Sequence, residues 1–104
     1  MSIDNLDSTT PKQWQSRGQI KTLLGRSIFV VDEGAETLPT IVLLHGFPTA
    51  SWDWVPIWQA LSRNYRLIAL DMLGFGLSEK PNHRNYTIHQ QADIVEALIK
   101  DKQL

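Results

Sequence analysis

The chain has 104 residues, of which 42% are hydrophobic and 20% charged, and its formal net charge is -1. This composition is ordinary for one small globular domain and argues against a chain that is disordered throughout. The near-zero net charge provides no basic surface for nucleic acid and no polybasic cluster for anionic lipid. We therefore expect neither nucleic acid nor a membrane among its partners.

The residue types present exclude further kinds of site. The sequence has no cysteine, so it can form neither a disulfide nor a thiolate metal site. Its histidines, His45, His83 and His89, show no metal-ligand spacing. The first twenty residues lack the charged start and apolar run of a secretory signal. We therefore expect no metal site and a cytoplasmic location.

Residues 1–17 are polar and rich in Ser, Thr, Asn and Gln, which predicts a loosely ordered leader, although Trp14 could still dock on the domain. Residues 18–104 form the expected domain. At its start, two β-prone stretches, 19–24 and 26–32, flank Gly25 and predict an antiparallel hairpin.

A βαβ unit is predicted next. The run Ile41–Leu44 has no polar alternation, which is typical of a parallel strand buried on both faces. Apolar residues then recur at helical spacing between 52 and 61, where Pro56 fits a helix only in its first turn. A second apolar run, 65–70, predicts the next parallel strand.

A loop is predicted over 71–85 by three clusters of turn-favouring residues. Thr87 and Gln90 then match a capping box, and an apolar helical face predicts a helix up to about Lys100. The members of that face are Ile88, Ala92, Val95, Leu98 and Ile99. Because strands and helices alternate up to this point, a further strand would come next, so we expect an incomplete sheet in these residues.

Two motifs follow the predicted parallel strands. The first is Leu44-His45-Gly46-Phe47-Pro48-Thr49 with Ser51-Trp52-Asp53-Trp54, and the second runs from Ala69 through Asp71, Gly74, Gly76 and Ser78 to Pro81. A glycine at such a strand-to-helix turn lets a backbone N–H point into the crevice above the sheet, where an anion can bind. With both motifs, residues 18–104 resemble the front of the α/β-hydrolase family, especially its epoxide hydrolase, haloalkane dehalogenase and mesoderm-specific-transcript-like branch.

This resemblance implies a fold and a set of roles. The fold would be α/β, the amino-terminal portion of an α/β-hydrolase fold with an antiparallel hairpin and then a parallel βαβα segment. Phe47 would donate its backbone N–H to the oxyanion of the transition state, and its ring would line the pocket. The turn or pocket residues would be His45, Gly46, Pro48 and Trp52, and the structural loop residues would be Asp71, Gly74, Gly76 and Ser78.

Other chemical roles fit the sequence less well. His45 is not the expected catalytic base, because the base of the family comes late in the chain. Ser78 begins like a G-x-S-x-G nucleophile elbow, but Lys80 replaces the final glycine. Glu79 occupies the third glycine position of a G-x-G-x-x-G loop and would repel a pyrophosphate, so we expect no nucleotide cofactor and no other cofactor.

Two functions remain open. The resemblance implies a fragment of a hydrolase for a small-molecule substrate, inactive alone because the nucleophile, acid and base are missing. In haloalkane dehalogenases the residue after His-Gly is typically an asparagine that holds the halide, which Phe47 cannot do, so ester or epoxide hydrolysis is favoured. The alternative is a short non-catalytic binding module that completes its sheet with a partner chain. For the fragment we expect self-association through an exposed sheet edge.

Overall fold

A computed structural model describes residues 9–46, 49–81 and 87–104. Its helices and strands follow the order that the sequence predicts, with one additional helix at the amino terminus. They are α1 (Pro11–Arg17), β1 (Gln19–Leu23), β2 (Arg26–Glu33), β3 (Thr40–Leu44), a 3-10 helix (Ser51–Trp54), α2 (Val55–Ser62), β4 (Arg66–Leu70) and α3 (Ile88–Asp101).

The strands form one four-stranded sheet in the order β1-β2-β4-β3. The hairpin of β1 and β2 and the parallel pairing of β3 with β4 are confirmed. Pro56 lies in the first turn of α2, as its missing N–H requires. A pairing that the sequence analysis did not provide is the antiparallel contact of β2 with β4, which joins the hairpin to the βαβ unit.

Apolar side chains cover both faces of the sheet, because successive residues of a strand point to opposite sides. On β4, Ile68 and Leu70 contact one core cluster, and Leu67 and Ala69 contact the other. Helix α3 covers the first cluster, while α1 and α2 cover the second. The described chain is therefore a layered α/β unit.

The apolar face of α3 differs from the sequence prediction. Ile88 is 87% exposed, whereas Ile94, which the prediction omitted, is buried together with Leu98. Ile94 and Leu98 are one helical turn apart and face the sheet. Ile88 is six residues from Ile94, which places it on a different side of the helix.

Burial on both faces was the wrong prediction for β3. Its first four residues are only half-buried, and Leu44 is 44% exposed. Within the part of the chain that the structure describes, β3 pairs with β4 alone and forms an edge of the sheet. β4 has a neighbour on each side and is buried from Leu67 to Leu70.

Within the segment predicted as a loose leader, the structure forms helix α1. Thr10 caps α1 by accepting a hydrogen bond from the Gln13 backbone, and the Gln13 side chain accepts one from the Thr10 backbone. Trp14 is 2% exposed and belongs to the core under α2. Burial of this large ring supplies the free energy that a short isolated helix lacks.

An ionic cluster lies where β2 ends and β4 begins, and it connects these two strands with the end of α3. Asp32 accepts two hydrogen bonds from the Arg66 guanidinium, at 3.0 and 2.8 Å, and forms an ion pair with Lys102 at 2.9 Å. Burial alone would raise the pKa of Asp32, but the hydrogen bonds and positive charges of Arg66 and Lys102 outweigh it and lower the pKa below 3.8.

Because the pKa of Asp32 is lower in the folded state, its stabilisation is complete above pH 3.8 and is lost as the pH falls through the folded-state value. We expect Asp32→Asn to cost about 1 to 2 kcal/mol near neutral pH and to flatten the acid limb of the stability profile. Urea unfolding between about pH 2 and pH 7 measures both effects. Glu96→Gln is the control, since Glu96 pairs with Lys100 on the exposed face of α3; parallel acid limbs for Asp32→Asn and the unchanged protein would contradict this account.

Candidate functional site

The two motifs meet in space because β3 and β4 are parallel, so the segments that follow them leave the same edge of the sheet. Of the residues singled out from the sequence, the structure describes His45, Gly46, Trp52, Asp71, Gly74, Gly76 and Ser78. Phe47, Pro48 and His83 lie outside the described residues.

Both ring nitrogens of His45 are held by backbone groups. The side chain is 5% exposed, and Nε2 accepts a hydrogen bond from the Met72 N–H at 2.9 Å. Nδ1 therefore carries the proton and donates to the Gly46 carbonyl at 2.8 Å. The ring also packs edge-on against Phe75, with 5.7 Å between the centroids. A general base needs a free nitrogen to receive a proton, so this arrangement favours a structural role for His45.

The carbonyl oxygen of Gly46 collects three hydrogen bonds. Besides His45, it accepts from the backbone N–H of Thr49 at 3.0 Å and from the Thr49 hydroxyl at 2.8 Å. These contacts join the two ends of the segment 46–49. The position of the residues on either side of Phe47 and Pro48 is thereby fixed.

Asp71 connects the first motif to the second. Its carboxylate is buried, and Oδ1 accepts from the Ser51 N–H at 2.7 Å while Oδ2 accepts from the Leu77 N–H at 2.8 Å. Each oxygen thus binds one backbone donor, Oδ1 at the start of the 3-10 helix and Oδ2 in the loop after β4. This is the contact pattern of a carboxylate that braces loops.

Gly76 makes room for that carboxylate. Its φ is +53°, and a Cβ at this position would lie 2.2 Å from Asp71 Oδ2. Gly74, also at positive φ, donates its N–H to the Glu79 carbonyl and closes the same loop. Gly46 differs from what the turn argument expected, because its φ is not in the left-handed region and a Cβ there would meet no described atom within 4 Å.

Ser78 and Glu79 attach this loop to β2. The buried Ser78 hydroxyl donates to the Asp71 carbonyl and accepts from the Phe29 N–H at 2.9 Å. Glu79 accepts from the Ser27 N–H at 3.1 Å and pairs with Arg26 at 2.6 Å. Backbone groups thus occupy the Ser78 hydroxyl, which a serine nucleophile would need free. Ser27 and Arg26 likewise bind the Glu79 carboxylate, which stands where a pyrophosphate loop would have a glycine.

The tryptophans have separate roles. Trp58 is buried on the sheet, and Trp54 packs against the same cluster. Trp52 is 42% exposed and donates its indole N–H to the Thr9 carbonyl at 3.3 Å. Trp14, outside both motifs, reaches the site by donating its indole N–H to Ser51 Oγ at 2.9 Å.

An apolar groove of about 490 Å³ opens beside the end of β3. Helix α3 is fastened there by Gln91, whose side-chain amide pairs with the backbone N–H and carbonyl of Leu73. The groove is lined by Leu44, Met72, Phe75, Thr87, Ile88, Gln91, Ala92 and Val95. The sequence analysis named several of these as core or loop residues but did not predict that they share a groove.

Two further searches concern the described residues alone. No group of three or more His, Asp or Glu side chains among them could hold a metal ion. None of the described helices has the length and apolar character needed to cross a bilayer.

Residues 39–103 match the family model for the alpha/beta hydrolase fold. The match covers more than half of the chain and includes both motifs and the strands that precede them. The chain therefore belongs to the α/β-hydrolase family.

Individual relatives refine this assignment. The chain is 52% identical over 90 residues to the human mesoderm-specific transcript homolog protein, covering 84% of this chain and 27% of the human protein. It is 46% identical over 72 residues to haloalkane dehalogenase 2 of Mycobacterium bovis, covering 69% of this chain and 24% of that protein. The crystal structure of an epoxide hydrolase from Vigna radiata superposes with a TM-score of 0.76 at 31% identity, over 84% of this chain and 28% of that chain. The chain thus spans about a quarter of the length of these relatives.

The two glycines of the site should respond differently to an added methyl group. Gly76→Ala forces a positive φ on alanine and pushes a Cβ onto the Asp71 carboxylate, so we expect a loss of about 2 kcal/mol or more in the free energy of unfolding. Gly46→Ala, with open space and an ordinary φ, should change it by less than about 0.5 kcal/mol. Urea denaturation compares the two variants. Equal losses would argue against Asp71 as the brace.

Proposed function

We propose that these residues supply one half of an oxyanion hole in a longer hydrolase, with the backbone N–H of Phe47 as the donor. The observation that carries the proposal is the anchoring of the turn on both sides. His45 ties its start to Met72, and Ser51 ties its end to Asp71. Phe47 lies between these anchors in the sequence.

Such anchoring matters because an oxyanion hole works by preorganisation. A donor held in place before the reaction stabilises the charge that develops in the transition state without reorganising, and one donor is worth about 2.7 to 4 kcal/mol. It is not sufficient by itself, since acyl transfer also needs a nucleophile, a base and an acid. In this proposal the rest of the longer hydrolase, outside these 104 residues, supplies those groups.

The substrate class follows from the residue at position 47. Phenylalanine has no side-chain amide to hold a leaving halide, so we propose a small-molecule ester or epoxide rather than a haloalkane. The similarity to the Vigna radiata epoxide hydrolase supports the epoxide among these substrates. A cytoplasmic location stays a prediction from the sequence.

A pair of substitutions at Phe47 tests the donor in the natural full-length protein. Phe47→Pro removes the backbone N–H, whereas Phe47→Ala keeps it and removes only the ring. We expect Phe47→Pro to lower kcat on nitrophenyl esters or aryl epoxides about 100- to 1,000-fold relative to Phe47→Ala. Thermal unfolding of both variants identifies any general loss of structure. Similar kcat values for two folded variants would exclude the N–H of Phe47 as the donor.

The intact mass of the native protein separates this proposal from the alternative module. A mass well above that of 104 residues supports the hydrolase, and activity assays then follow. A mass equal to that of 104 residues supports a binding module, because the edge of β3, unpaired among the described residues, and the groove beside it would need a partner chain. Co-purification of that partner would then identify it.

The 104 residues alone should associate through the edge of β3. This strand has unpaired backbone groups within the described chain, and Leu44 at its end is 44% exposed. We expect concentration-dependent sedimentation that Leu44→Lys reduces, since a charge opposes edge pairing. Ile57→Lys is the matched control, because Ile57 is also 44% exposed but lies on α2. Equal effects of the two lysines would show that the edge is not the contact.

A further inference from the structure

We propose that Trp14 of α1 is a positioning residue for the oxyanion turn, acting through Ser51. The inference rests on the proposed function for its kinetic consequence, but the contact itself is independent of that function. The two residues are 37 positions apart, and nothing in either motif indicates that the amino-terminal helix takes part in the site.

The contact is short, buried and directed. The Trp14 indole N–H donates to Ser51 Oγ at 2.9 Å, and the two residues are 2% and 0% exposed. The backbone N–H of the same Ser51 donates to Asp71 Oδ1 at 2.7 Å. Ser51 is therefore held through its side chain by α1 and through its backbone by the loop after β4. It lies two residues after Thr49, where the turn ends.

Trp14 is itself fixed by its surroundings. Its ring meets the Trp58 ring edge-on, with 4.9 Å between centroids and an angle of 86°. The Arg17 guanidinium lies 5.3 Å from the Trp14 ring centroid and forms two hydrogen bonds with Glu33. A second contact from the same segment joins the Thr9 carbonyl to the Trp52 indole. The segment around α1 thus contacts consecutive residues, Ser51 and Trp52, and restricts the exit of the turn.

This arrangement assigns the two ends of the turn to different parts of the chain. His45 and Met72 hold the entrance, and Trp14 and Ser51 hold the exit. A donor displaced by a fraction of an ångström still binds substrate but stabilises the transition state less well. Loss of the Trp14 contact should therefore reduce kcat more than it changes KM.

The test compares Trp14→Phe with Trp58→Phe in the natural full-length protein. Each variant removes one indole N–H from the same buried ring pair, but the Trp58 N–H binds Glu33 instead of Ser51. We expect Trp14→Phe to speed amide hydrogen exchange at residues 49–51 and to lower kcat about tenfold with KM changed less than about twofold. Trp58→Phe should move neither quantity in that way, even where its loss of thermal stability is similar.

Ser51→Ala removes the acceptor and keeps the backbone bond to Asp71, so it should match Trp14→Phe. The double variant Trp14→Phe with Ser51→Ala should lower kcat no further than either single variant, because both substitutions remove the same hydrogen bond. Equal exchange at 49–51 in the two tryptophan variants would overturn the positioning role. Faster exchange in Trp14→Phe with no loss of kcat would retain the structural contact and reject its effect on catalysis, and an inactive parent protein would instead reject the proposed function.

Discussion

The site depends on the buried carboxylate of Asp71. It stands at the end of β4, where its two oxygens accept N–H groups from the start of the 3-10 helix and from the loop 71–81. A buried carboxylate without donors would be unfavourable, so these two segments each donate a hydrogen bond to a group that would otherwise oppose folding. The same loop closes around Asp71 because Gly76 adopts a positive φ and the Ser78 hydroxyl donates to the Asp71 carbonyl.

The two parallel strands differ in their surroundings. β4 has neighbours on both sides and forms the centre of the core, whereas β3 is an edge within the described residues. The groove beside β3 and the exposed Ile88 lie at that edge. Large exposed apolar patches are typical of interaction surfaces and ligand-binding grooves in proteins. The relatives are about four times as long as the part that aligns with this chain.

The amino-terminal helix relates stability to the candidate site. Trp14 is a core residue by burial, yet its polar atom is directed at Ser51 rather than at its own helix. Arg17, Glu33 and Trp58 surround it with an ion pair and a ring contact that limit its movement. Because close-packed interiors deform little, a large buried side chain both stabilises the fold and restricts the position of the residue that it contacts.

Local patterns in the sequence determined the elements and the family. The hairpin around Gly25, the apolar runs that became β3 and β4, and the Thr87 cap are set by neighbouring residues, so they could be predicted without a fold. The roles of Asp71, Gly76 and Ser78 came from resemblance, and only the tertiary structure supplied their partners. The contacts of Trp14 with Ser51, of β2 with β4 and of Asp32 with Arg66 and Lys102 join residues far apart in sequence. Periodicity predicts which residues of a helix share an apolar face, but the packing of the helix on the sheet decides which of them are buried. For that reason Ile94, and not Ile88, lies in the core.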